Sequence, residues 1–172
     1  MDPRKFLARF TRDKLLPGMG SITGAPVASQ MFQKFLQGKG QDITSYKQIS
    51  SNRKTQQDFQ NLLNQAIQYK TKQDPEFAKT GGRLSLYNYG EGAWKPNDPA
   101  VTRTGKDVVF SLGEVQATPT QGGWRVQDIY QVNKRASGAH DLNPGGIVAK
   151  GLYGTLKEES KPFKFDLFVP NR

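Results

Sequence analysis

The chain of 172 residues contains no cysteine and a single histidine, His140. Disulfides and thiolate metal sites are thereby excluded, as is any metal centre built on several histidines. No run of apolar residues approaches the roughly 18 that a membrane-spanning helix needs. The N-terminus is basic but lacks the apolar core of a secretory signal, so the expectation is a soluble protein without a secretory route of its own. Acidic residues are also few. Fifteen Asp and Glu stand against 25 Lys and Arg, for a net charge of +10. Such a balance suits an anionic neighbour, whether nucleic acid, lipid or an acidic protein surface, and it equally suits a basic structural protein. The apolar fraction is 35%, and the aromatic fraction of 10% is enough to build a core.

What the chain does have changes character near residue 80. Asp2 and Pro3 form a helix start, cap followed by first-turn proline, for residues 3–16. Phe6, Leu7 and Phe10 share one face of this segment, and Arg4, Lys5, Arg9, Arg12 and Lys14 surround it. Pro17-Gly18 stops it, and residues 18–26 read as a linker. This basic amphipathic arm is a binding element, with Arg4, Lys5, Phe6, Arg9, Phe10 and Arg12 as its contact residues. Its target is a neighbouring subunit first, DNA or a membrane surface second. Met31, Phe32, Phe35 and Leu36 then repeat at helical spacing. The clearest helix follows, with Thr55 and Asp58 as its cap pair and Phe59, Leu62, Leu63, Ala66 and Ile67 as one apolar stripe. Asp74-Pro75 marks a further helix start or a turn.

From Arg83 the period falls to two. Leu84, Leu86, Tyr87 and Tyr89 make a strand, and residues 108–115 a second. Residues 118–123 are a turn, and residues 124–133 return from it as the partner in an antiparallel hairpin. Residues 147–156 read as a short helix or an irregular crossover. Phe163, Phe165, Leu167 and Val169 alternate along a last strand. The expected fold is therefore α+β: a helical arm over 1–80 and a small, mostly antiparallel, partly open barrel-like β domain over 81–172.

Read as a strand, Trp124, Val126, Asp128, Tyr130 and Val132 occupy one face. That face is a core face with a carboxylate in its middle, and a buried carboxylate is costly unless something bonds it. Asp128 either tethers a turn or works as a functional carboxylate beside the Tyr130 phenol. The chain lacks a phosphate-binding glycine loop and a Gly-x-Ser-x-Gly elbow. Its remaining constellation is Asp128-x-Tyr130 with His140-Asp141 downstream.

Those residues carry a resemblance. Gly123-Trp124-Arg125-Val126 leading into Asp128-Ile129-Tyr130, with a histidine downstream, is similar to the Asp-x-Tyr-Asp signature of colicin M-type bacteriocins. Related segments occur in phage and prophage proteins, where a glycine-x-tyrosine-glycine element, here Gly151 to Gly154, precedes a last strand like residues 162–167. The resemblance spans residues 83–172. It implies a partly open β structure that cleaves the pyrophosphate-linked lipid carrier of peptidoglycan with acidic residues, a histidine and Mg²⁺. Asp128, Tyr130, His140 and Asp141 would be its site residues. Gln131 replaces the second acidic position, and Gln serves neither as a base nor as a charged Mg²⁺ ligand. His140 is followed by Asp141 in place of Arg. The resemblance thus implies a fold kept without the activity.

Three functions follow as expectations. The first is a non-enzymatic bacteriophage virion component (tail, portal-proximal or ejected) that binds neighbouring subunits and forms homo-oligomers without a cofactor or metal. It would be located in the virion, and in the host cytoplasm during assembly. The second is the colicin M-like hydrolase, and the third a basic nucleic-acid-binding protein.

Overall fold

In a computed structural model of the protein, the residues described are 2–15, 26–86, 114–130, 152 and 154–171. His140, Asp141, Gln131, Trp94 and the strand expected over 108–113 lie outside them. Within them the chain is α+β, with helices and an open four-stranded antiparallel sheet of order β1-β2-β3-β4.

The elements are α1 (Pro3–Phe10), which runs on into a π-helical turn over Thr11–Leu15, α2 (Pro26–Leu36), α3 (Tyr46–Ile49), α4 (Arg53–Gln73) and α5 (Pro75–Thr80). The strands are β1 (Gly82–Ser85), β2 (Glu114–Thr120), β3 (Gly123–Tyr130) and β4 (Phe163–Pro170). Residues 152 and 154–156 are helical.

The chain groups into two compact units, each interrupted in sequence. The first comprises Met1–Gly40 and Tyr130–Phe163, the second Gln41–Ile129 and Lys164–Arg172. The helices α3, α4 and α5 thus fall in the same unit as β1 and β2.

The second unit is built on α4. Its apolar residues recur at helical spacing, and Phe59, Leu62, Leu63, Ala66 and Ile67 are all buried. Asn52, and not Thr55, caps the helix: its side-chain oxygen accepts from the Lys54 and Thr55 amides at 2.9 and 3.2 Å. Asn is among the strongest N-caps, and the helix start it claims leaves Thr55 within the first turn. Asp58 pairs instead with Lys54, one turn back, at 2.8 Å. Asp74 caps α5, accepting from the Phe77 amide at 3.2 Å. Gly81 ends α5 at φ 70°, where a Cβ would also collide with the Ala117 carbonyl, so glycine is required twice over. α4 packs on β1 and α5 on β2. Phe77 of α5 stacks on Trp124 with ring centroids 5.2 Å apart.

The hairpin is tighter than the sequence suggested. β2 pairs with β3 from Gln116↔Gln127 to Thr120↔Gly123, so the turn is Gln121-Gly122 alone, with Gly122 at φ 79°. Pro119 sits inside β2, opposite Trp124. It is tolerated because β1 reaches only to Ala117, which leaves the other side of β2 at Pro119 without a partner strand to receive an amide. β4 alternates as expected, with Phe163, Phe165, Leu167 and Val169 buried. Residues 42–43 cover its outer edge: Ile43 donates to the Lys164 carbonyl at 2.7 Å, and Asp166 donates to the Ile43 carbonyl at 2.8 Å.

The first unit holds an aromatic cluster. Tyr130 stacks on Phe163 at 4.9 Å and meets the edge of Phe35 at 5.8 Å. Gly40 lies where any Cβ would strike the Phe163 ring.

Candidate functional site

Two places carry the expected site residues: the arm in the first unit and Asp128 in the second. The arm starts as the sequence implies, with Asp2 accepting from the Arg4 amide at 2.9 Å and Pro3 opening the helix. Its orientation is the opposite of the usual one. At 100° per residue, Phe6, Leu7 and Phe10 share one side of α1. They are 59%, 63% and 47% exposed, and Leu15, beyond the helix, is 50% exposed. The buried residues are Ala8 and Arg12. A surface helix of a globular protein turns its apolar stripe inward; α1 turns its apolar residues out and its cations toward carboxylates.

Those carboxylates are Glu158 and Glu159. Lys5 Nζ lies 3.3 Å from Glu158. Arg9 holds Glu159 Oε1 with Nε at 3.0 Å and Nη2 at 2.7 Å. Arg12 Nη1 donates to Glu159 Oε2 at 2.9 Å and to the Leu36 carbonyl at 3.4 Å. Its Nε and Nη2 grip Asp13 at 2.7 and 3.0 Å. The Arg12 bond, helped by Gln37, pulls the Asp13 carboxyl down to about 2, and Arg9 with Arg12 lowers that of Glu159. Three arm cations expected to face a partner are therefore engaged within the unit. Arg4 stays exposed, with its amide at the Asp2 cap. Sequence reasoning missed Glu158-Glu159, although it is the only adjacent acidic pair in the chain.

Asp128 sits half-buried on the core-facing side of β3, between Val126, which is fully buried, and Tyr130. Burial pushes its carboxyl up to about 7; the Ile129 amide bonds it and opposes the rise, while the charge of Glu114 adds to it. No cation pairs with it among the described residues. On the other face of β3, Arg125 holds Asp166 in a two-point pair, its Nε at 2.7 Å from Oδ1, and Gln127 adds a third bond at 3.3 Å. Tyr130 belongs to the first unit's aromatic cluster. Among the described residues no group of three or more His, Asp or Glu side chains is placed to hold a metal ion. No described helix is long and apolar enough to cross a membrane.

Compared with protein-family models, curated proteins and solved structures, the chain has no match.

Proposed function

We propose that the protein is a non-enzymatic structural component of a large assembly that binds neighbouring subunits, itself included, through the outward face of α1. The colicin M-like and phage-like segment makes a bacteriophage virion the assembly of choice. One observation carries the reading: Phe6, Leu7 and Phe10 are presented to solvent on a helix whose inward side is ionic. Burying a Phe or Leu side chain is worth about 1.5–3 kcal/mol, and a folded chain that leaves three of them together on one helix face has a docking surface. The arm's cations support a subunit contact over nucleic-acid binding, since Lys5, Arg9 and Arg12 already face carboxylates.

The test is the mass in solution, by light scattering at moderate salt, of the wild type and of a Phe6→Ser/Phe10→Ser variant. The wild type should run well above its monomer mass of 19.2 kDa. The variant should return to monomer with unchanged circular dichroism. A wild type that stays monomeric, or a variant that assembles equally well, would sink the proposal.

A second reading has one observation in its favour. A carboxyl near 7, as at Asp128, is in the range of a general acid or base. Turnover of a lipid-linked pyrophosphate with Mg²⁺ by the wild type, abolished in Asp128→Ala, would establish it. Equal inactivity of both chains would remove it.

A further inference from the structure

We infer that α1 is an ionically latched arm: Glu159 is the latch, and neutralising or screening it frees residues 3–15 from the first unit while the rest of that unit stays folded. The inference concerns how α1 is held and is independent of what its outer face binds.

The case begins with what fastens α1. Its apolar side chains point away, so Ala8 is the only apolar side chain it buries. The contacts across the unit are polar instead: Arg9 and Arg12 to Glu159, Lys5 to Glu158, Gln33 to the Arg12 carbonyl at 3.2 Å, and Gln37 to Asp13 at 3.0 Å. A helix of eight residues does not persist in water on its own propensity. With so little apolar burial, α1 depends on those polar bonds.

Glu159 is placed in advance to receive them. Gly38, at φ 64°, allows the backbone of residue 159 to come close, since a Cβ there would stand 2.6 Å from the Glu159 carbonyl oxygen. Lys161 donates to the Phe35 carbonyl at 3.0 Å and Glu159 to the Leu156 carbonyl at 2.9 Å. The segment is thereby pinned beside the last turn of α2. That position is unfavourable for a carboxylate, because the C-terminal end of a helix carries partial negative charge. Arg12 resolves the conflict by bonding both the carboxylate and the α2 carbonyl of Leu36. The latch thus has a fixed half made by α2 and residues 156–161, and a removable half made by α1. Ion pairs at this level of exposure weaken with salt, as the screening length falls from about 10 Å at 0.1 M to about 3 Å at 1 M.

Amide hydrogen exchange on the full chain tests this. In Glu159→Gln, the amides of residues 6–12 should exchange about tenfold faster than in the wild type, the size expected from losing two ion pairs, those to Arg9 and Arg12. Amides of α2 and α4 should keep their wild-type rates. Glu158→Gln, which loses only the exposed Lys5 pair, should change α1 by less than twofold. The wild type in 1 M NaCl should reproduce the Glu159→Gln pattern, which decides the matter even if that variant folds poorly. Unchanged α1 exchange in both Glu159→Gln and high salt would overturn the latch. So would equal acceleration of α1 and α2, which would make Glu159 part of the common fold.

Discussion

Asp128 titrates where few aspartates do. The rise has a simple cause: a strand places it on the side facing the core, and no described cation offsets the lost hydration. Its carboxyl sits at about 7 when folded against an ordinary 3.8. The folded state therefore retains a proton that the unfolded chain releases. Stability from this group is complete below about pH 4 and declines as the pH rises toward 7. Asp13, Glu159 and Asp166 act in the opposite sense, since their cationic partners lower them. Their contribution is present above the ordinary carboxylate range and is lost as the pH falls through it. Melting temperatures of wild type and Asp128→Asn from pH 4 to 8 separate the two effects. The wild type should lose stability across that window while the variant stays flatter, and the variant should be the more stable of the two at pH 8. Parallel curves would show that Asp128 is not held as described. That Asp128 was anomalous could be read from alternation along the strand. The charge of Glu114 beside it could not, because cross-strand neighbours depend on register.

Elements show where local rules were enough and where they competed. The stripe of α4 was legible because five apolar residues at one helical period leave no other face to bury. Its start was not, because Asn52 and Thr55 are both acceptable caps and only the path of the chain into the helix selects one. Replacing Asn52 by Ala should cost about 1 kcal/mol, read as a shift in denaturation midpoint, while Thr55→Ala should be close to neutral. The reverse order would restore Thr55 as the cap. Pro119 teaches the same lesson for strands: it marked a turn by composition, yet it fits a strand that has lost one neighbour. α1 is the sharpest case. Its amphipathic pattern was plain, but a pattern has no inside or outside until something occupies one face. Glu158 and Glu159, about 150 residues away in sequence, took the cationic side and left Phe6 and Phe10 outside.

At the scale of the molecule, the units do not follow the composition. The helices α4 and α5 lie before residue 81, yet they supply the apolar cover of β1 and β2. A fragment of residues 81–172 should therefore fail to fold alone, showing no cooperative melt and weakly dispersed amide resonances. A fragment starting at residue 41 keeps α4 and the whole sheet, and it should retain a cooperative transition. A folded 81–172 fragment would instead place a domain boundary near residue 80.

Legible in the chain alone was what depends on sequence neighbours: α4 and β4 from their periodicities, the Asp2 cap from a side chain adjacent to the amide it bonds, and the change from helical to strand period at Arg83. The sequence also marked the residues whose chemistry is unusual, Asp128 in a core face and Phe6 and Phe10 among cations. Tertiary structure alone decided their meaning. Which carboxylate meets which guanidinium, which face of α1 is outward, and which helices cover the sheet are all settled by contacts between residues far apart in sequence. Burial and charge pairing act on distance in space, and periodicity along the chain does not contain that distance.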